Sequence, residues 1–324
     1  MWMDNKEQIL EKFVLEFPTK MQNYHELFVG GGSVLLAALY QINNKKIAVS
    51  GKIYAYDINN HLITMFKNIQ SDYLSVYNEL DTIFDEFNTF IGQQESGKCD
   101  TTEYSLKRIS NKHTNVENSG IKPSPQLGYL QYKERYYYWI RHEYNELDSL
   151  SKSTPRGTAM FIFLNKTCYR GMFREGPNGF NVPYGHGKST MVEHAHLKRL
   201  GTLIRDVIFI CCDFAVPIMN DTIAKGDFVY IDPPRVSDLD IPASTFSHND
   251  FGMDRHKLLY NLCGAFSENG VNMMMTNLDT PFVRQYFQIY DYCVRVIEYN
   301  RHVNSKNQQD NMREVLIKNY NYIS

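Results

Sequence analysis

A strand that runs straight into consecutive glycines and then into an apolar helix leaves few folds open to a chain. His25 to Val29 reads as such a strand, Gly30-Gly31-Gly32-Ser33 follows, and Val34 to Leu39 resumes as a helix. Lys46 to Tyr56 reads as the next strand, ending at Asp57. Strand, glycine turn, helix, strand and terminal carboxylate together open a nucleotide-binding α/β domain. Glycine lacks Cβ and permits positive φ, so the backbone of Phe28-Val29-Gly30-Gly31-Gly32 can approach a ligand closely. Asp57, about twenty-five residues on, stands where an open sheet places a carboxylate for ribose hydroxyls. Taken singly, the glycines also suit a plain tight turn and Asp57 a cap before Asn59. The pair alone permits a nicotinamide-dependent oxidoreductase as well.

Before this unit, Ile9, Leu10, Phe13, Val14 and Phe17 lie at helical spacing, and Pro18 ends that helix. From about Glu95 to Gln126 the composition turns to Ser, Lys, Asn, Thr and Gly without a clear period, which predicts a surface loop or poorly ordered insertion. A different module follows: an aromatic, charged helical stretch from Tyr129 to Leu150, an apolar run from Ala159 to Leu164, and a β-hairpin around Pro177-Asn178-Gly179. Strand signals return at Val207 to Cys212 and Phe228 to Ile231. A helix near His256 to Phe266 comes next, then strands near Val271 to Met275, Tyr292 to Tyr299 and Glu314 to Ile317.

Phe228-Val229-Tyr230-Ile231-Asp232-Pro233-Pro234-Arg235 is the most informative stretch. An apolar strand there delivers an acid and two prolines to the carboxyl edge of the sheet, where ligands bind. The prolines stiffen the loop, so a carboxylate and a free carbonyl can together face one amino group. On its own, Asp-Pro-Pro equally well ends a strand.

Together these residues resemble the Dam-type DNA N6-adenine methyltransferases, whose motifs are Phe-x-Gly-x-Gly and Asp-Pro-Pro-Tyr. The resemblance is nearly chain-long. It takes in Trp2 to Lys6, Glu26 to Ser33, Tyr56-Asp57-Ile58-Asn59, Phe163 to Tyr169, Asn181 to Gly185, Cys212-Asp213-Phe214, Asn304-Ser305-Lys306 and Arg313 to Ile317. It implies a Rossmann-like S-adenosylmethionine (SAM) dependent methyltransferase sheet, residues 1–80 and 195–324, interrupted by a helical and β-hairpin DNA target-recognition domain, residues 81–194. Trp2, Lys6, Phe28, Gly30, Gly32, Ser33, Asp57, Asp213, Phe214 and Asp232 would surround the cofactor. Asp232, Pro233, Pro234 and Arg235 would form the catalytic loop facing an adenine flipped from the duplex. The resemblance further implies SAM as cofactor, double-stranded DNA as partner, no metal, a monomer or homodimer, and a restriction-modification or marking role.

Two positions depart from the family. Arg235 stands where an aromatic residue is expected to stack on the base. A guanidinium plane also stacks, but its charge beside a sulfonium opposes the reaction unless Asp232 or a phosphate neutralises it. Asp4 stands where glycine is common. An impaired DNA-binding relative is therefore the alternative expectation.

The formal net charge is −2, so nucleic-acid contact must come from a local basic surface. Residues 151–205 supply one, with nine Lys or Arg against Glu175 and Glu193. By resemblance Tyr169 would wedge into the base stack, Arg170 and Met172 would read base edges, and Lys166, Arg174 and Pro183 would contact the site. Arg170 replaces a common Asn, which predicts a recognised sequence other than GATC. The plainer alternative is a solvated basic face with Tyr169 in the core.

Six cysteines show neither zinc spacing nor disulfide density and read as reduced, intracellular thiols of the cytoplasm, or of the nucleus in a eukaryotic or viral setting. Neither an export signal nor a membrane span is read. The ten histidines, His25, His186, His248 and His256 among them, follow no metal or nucleophile pattern.

Overall fold

A computed structural model describes residues 10, 13–89, 120–125, 129–186, 191–234, 251–288, 292–300 and 311–320. The chain divides into two compact units: Met1–Phe66 with Thr202–Ser324, and Lys67–Gly201. Among the described residues no helix is long and apolar enough to cross a membrane.

The first unit is built on a seven-stranded sheet. In chain order its strands are β2 (Tyr24–Glu26), β4 (Ile53–Asp57), β7 (Val207–Cys211), β8 (Phe228–Ile231), β9 (Asn272–Leu278), β10 (Cys293–Asn300) and β11 (Asn311–Lys318). A short pair, β1 (Lys20–Met21) with β3 (Ala48–Val49), stands apart from it. The spatial order is β10-β11-β9-β8-β2-β4-β7, and β11 alone runs antiparallel to its neighbours. From β2 the chain winds outward one way through β4 and β7, then returns to the other side of β2 as β8 and β9. That reversal makes the fold doubly wound and Rossmann-like, with its switch point between the carboxyl ends of β2 and β8. The central strands are wholly buried, as parallel strands covered on both faces require.

Helix α1 (Ser33–Asn43) starts from Gly32 in the left-handed region and buries Val34, Leu35, Ala38 and Leu39. Helix α2 (Asn60–Asn88) starts where the Asn59 side chain accepts from the amides of His61 and Leu62. It is interrupted at Asp72, whose side chain accepts from the Ser75 amide and restarts the helix. Near residue 50 the single expected strand is two, β3 and β4. Gly51 lies at the break, where only glycine fits, because a Cβ there would lie 2.3 Å from Asn23 Oδ1 and 2.9 Å from the Gln22 carbonyl. The first expected strand likewise ends at Glu26, although the Leu27 and Val29 amides still donate to Tyr230 and Tyr56. Of the helix expected before Pro18, only Leu10 and Phe13 onward are described, and they are buried and helical up to Val14.

The second unit packs α3 (Tyr129–Glu146) and α5 (Pro155–Thr167) with the later part of α2. Asp148 ends the long helical stretch by capping the short α4 (Ser149–Lys152), and Thr154 with Pro155 starts α5. Phe163 lies at the centre, with ring centroids of Phe84, Phe87 and Tyr136 at 5.2, 5.1 and 5.9 Å. The expected hairpin is present as β5 (Glu175–Gly176) paired antiparallel with β6 (Gly179–Phe180). It is tied to α3 by Asn145, whose amide donates to the Phe180 carbonyl at 3.0 Å and accepts from the Phe180 amide at 2.9 Å. Most of the expected 95–126 loop lies outside the described residues. Two more helices, α8 (Met253–Glu268) and α9 (Pro281–Gln288), return to the first unit. Helix α6 (His194–Leu203) precedes β7, and the short helix α7 (Ala215–Met219) follows it.

Candidate active site

Four loops meet the carboxyl edge of the sheet in the first unit. The loop after β2 turns through Gly30 and Gly32, at φ +46° and +74°. A Cβ on Gly32 would lie 2.9 Å from Phe66 Cζ, so this glycine serves helix packing; around Gly30 a Cβ would meet no atom of the described residues within 4 Å. Among the described residues, open space therefore lies against the turn at Gly30. Asp57, at the end of β4, accepts from the Gly30 amide at 2.9 Å and the Asn59 amide at 2.8 Å. Burial pushes its carboxyl up from the ordinary value, against the lowering effect of those amides. A carboxylate has about four acceptor positions, so this anchored group still has capacity for a hydroxyl. The open turn and the adjacent acid fit an elongated polar ligand that carries a sugar.

Phe28, half-buried, is edge-on to Phe251 and tilted against Phe214, each at 5.4 Å. Ser33 is half-buried in the first turn of α1. After β7, Asp213 accepts from the Ala215 amide and pairs with Arg255 of α8. The Arg255 guanidinium lies 4.6 Å from the centroid of the buried Phe214 ring. His256 is buried edge-on to Phe251 at 4.7 Å, with no hydrogen-bond partner for either ring nitrogen among the described residues. Burial lowers its pKa to about 4. Sequence reasoning passed over Phe251, Arg255 and His256, because they belong to α8 and its approach and carry no motif of their own.

The loop after β8 begins with half-buried Asp232, then buried Pro233 and exposed Pro234. Thr276 of β9 donates its hydroxyl to Asp232 Oδ1 at 3.0 Å, and the Tyr230 hydroxyl lies 2.8 Å from the same Thr276 oxygen. Beside them Glu26 is buried and accepts from the Tyr24 hydroxyl at 2.5 Å. Burial, reinforced by the nearby Asp232 charge, pushes Glu26 up to about 8 despite the Tyr24 hydrogen bond. Trp2, Asp4, Lys6 and Arg235 lie outside the described residues, as do Asn304, Ser305 and Lys306. Among the described residues no group of three or more His, Cys, Asp or Glu is placed to hold a metal ion.

In the second unit, the residues expected to read DNA lie on α5 and the chain that follows it. Lys166 is half-buried in the last turn of α5. A short 3₁₀ turn, Tyr169–Gly171, then exposes Tyr169 and Met172, each 43% accessible, so Tyr169 is not a core residue. Arg170 adopts φ +57°, uncommon outside glycine, and its guanidinium lies 5.1 Å from the Tyr169 ring centroid. The Tyr169 amide donates to the Pro183 carbonyl at 2.8 Å, and the Gly185 amide to Thr167 at 2.9 Å, which ties the turn to the chain leaving the hairpin. Across the hairpin, Arg174 Nε donates to Asn181 Oδ1 at 2.7 Å, which fixes an exposed guanidinium. The structure thus brings Tyr169 and Arg170 together, and ties Pro183 to the same turn.

Comparison with known proteins identifies the family. The family model for D12 class N6 adenine-specific DNA methyltransferases matches residues 2–304. A type II methyltransferase of Methanocaldococcus jannaschii, M.MjaIII, is 26% identical over 98% of this chain and 97% of its own length. The DNA adenine methylase of Haemophilus influenzae is 22% identical over 88% of this chain and 81% of its own length. The DNA N-6-adenine-methyltransferase of Escherichia phage P1 is 26% identical over 94% of this chain, although the match takes up 33% of that protein. With the switch-point sheet, the glycine turn and Asp232-Pro233-Pro234 on one edge, and the family model running through all of them, the chain belongs to the D12 class N6 adenine-specific DNA methyltransferases.

Proposed function

We propose that this DNA adenine methyltransferase takes its methyl group from SAM and acts on N6 of an adenine flipped out of a short, specific duplex site. The observation that carries this reading is the Asp232-Pro233 pair at the switch point, on the same sheet edge as the open glycine turn and Asp57. The first unit is the cofactor and catalytic domain. The second, with its basic 3₁₀ turn and hairpin, recognises DNA. The fit to SAM rests on the room at Gly30 and on the carboxylate of Asp57, with Phe28, Gly32, Ser33, Asp213 and Phe214 completing the surroundings and Trp2 and Lys6 bordering them. When bound, the cofactor supplies a sulfonium methyl, an electrophile that needs no metal.

The chain's own residues do the rest. Adenine N6 is a poor nucleophile, because its lone pair is delocalised into the ring. Asp232 and the Pro233 carbonyl accept hydrogen bonds from the amino group, which orients it and stabilises the positive charge that develops on nitrogen. A single preorganised oxyanion-hole donor is worth about 10²–10³ in rate, and these acceptors do the corresponding work for a developing positive charge. Asp57 holds a ribose hydroxyl. Tyr169 fills the gap in the base stack, Arg170 and Met172 read base edges, and Lys166, Arg174 and Pro183 hold the backbone around the site.

A second reading, an impaired DNA-binding member of the family, is favoured by one residue. Arg235 places a cation where the family stacks an aromatic ring, beside a reacting centre that is itself positive. Transfer of labelled methyl from SAM to unmethylated duplex DNA, by the full chain and by Asp232→Ala and Arg235→Tyr, separates the two. Transfer by the protein itself that Asp232→Ala abolishes supports the first reading. Transfer that begins only with Arg235→Tyr supports the second, and no transfer by any of the three refutes the first.

A further inference from the structure

We propose that Thr276 is a positioning residue for methyl transfer: its hydroxyl, held in place by the Tyr230 phenol, donates to Asp232 and sets the direction in which that carboxylate faces the substrate amino group. The inference rests on the reading of Asp232 given under Proposed function.

Strand β9 lies parallel to β8 with Met275 level with Ile231, so Thr276 comes level with Asp232 one step beyond the last paired residues. It is 3% exposed and follows three fully buried methionines, Met273, Met274 and Met275. Valine would fill such a position equally well, and a buried hydroxyl there is costly if its hydrogen bonds are unmade. Both are made. Threonine has a single hydroxyl proton, and Asp232 Oδ1, 3.0 Å away, takes it. The Tyr230 hydroxyl, 2.8 Å from the same oxygen, must then be the donor of the other bond. The chain therefore runs one way, Tyr230 to Thr276 to Asp232. Burial keeps the Tyr230 phenol protonated at all ordinary pH, so the donor is always present. The β-branched side chain of Thr276 has few rotamers, which lets it hold the carboxylate rigidly. Among the described residues, the titratable groups coupled to this cluster include Glu26 from β2, which Tyr24 engages, and the buried Glu314 from β11.

The test compares the full-length protein with Thr276→Val, which keeps the shape, and Thr276→Ser, which keeps the hydroxyl. Two quantities are read: methyl-transfer kinetics, and titration of the Asp232 carboxyl carbon by NMR of aspartate-labelled protein, the resonance being assigned by its loss in Asp232→Asn. Thr276→Val is expected to raise the titration midpoint by about half a unit or more, because a hydrogen bond to the charged form is lost. It is also expected to lower kcat by about 10–100-fold with KM for DNA little changed. Thr276→Ser restores both. An unmoved midpoint in Thr276→Val, or a failure of serine to restore it, overturns the proposal, since a purely structural role would lower stability alone. If the wild-type chain transfers no methyl, the functional reading fails by that result, and the carboxyl titration still decides whether Thr276 holds Asp232.

Discussion

Gly179→Ala is expected to loosen the hairpin through a single neighbour, and the structure gives the size of the effect. Gly179 sits at φ +85°, where alanine costs about 1–2 kcal/mol. Its new Cβ would also lie 2.5 Å from Asn145 Oδ1, the atom that accepts from the Phe180 amide. Displacing Asn145 forfeits two hydrogen bonds, worth about 0.5–1.5 kcal/mol each. The total is about 2–5 kcal/mol for Gly179→Ala, against about 1–3 for Asn145→Ala alone. In the double variant those bonds are already gone, so Gly179→Ala adds only its backbone strain. The double variant should therefore be about 1–3 kcal/mol less destabilised than the sum of the singles. Urea unfolding followed by Trp139 fluorescence measures this, because Trp139 lies on α3 with Asn145. Additivity to within about 0.5 kcal/mol would refute the argument, as it would mean that Gly179 and Asn145 do not share one contact.

Three further outcomes follow from the same geometry. Asp57→Ala should weaken SAM binding by about 10–100-fold in calorimetric titration, as expected for a lost charged hydrogen bond; an unchanged affinity would remove Asp57 from the cofactor site. Arg174→Ala should weaken DNA binding alike for specific and random duplexes and reduce the magnitude of the slope of log K against log salt by about 0.9; a loss confined to one sequence would make Arg174 a base reader instead. Glu26 binds its proton more tightly in the fold than when unfolded, so the wild type should lose stability as pH rises from about 4.5 toward about 8, and level off above that. Glu26→Gln, which does not titrate, should lack this decline; parallel urea midpoints for both proteins between pH 5 and 8 would show that Glu26 is ionised throughout.

The architecture was largely legible, because in β8 and its neighbours local pattern and burial agree. Phe228 to Ile231 is uniformly apolar and forms a strand with those bounds. Helix α2 left no comparable mark, since Asn68, Ser71, Asp72, Asn78 and Asp81 are residues that also favour turns and caps. One expected strand breaks at Gly51, where only glycine fits for a reason no local pattern carries, the approach of Asn23 and Gln22 from another segment. The same division holds at the site. Gly30, Asp57 and Asp232 lie within motifs and could be named in advance. Thr276 and Arg255 meet Asp232 and Asp213, partners more than forty residues away in the chain, so these contacts became visible only once β8 lay beside β9 and α8 beside the loop after β7.

The strand order also has a consequence for how the protein is made. Strand β2, at the centre of the sheet, lies between β4, which follows it closely in the chain, and β8, which is synthesised about 200 residues later. At ribosomal speeds of about 5–20 residues per second, β2 waits roughly 10–40 s for its second neighbour. During that interval one edge of the central strand is unpaired, and His25 has yet to meet Asp227, which immediately precedes β8. The long-range closure is thus a late step, and the half-built sheet is the stage at which a nascent chain of this topology is most exposed to aggregation.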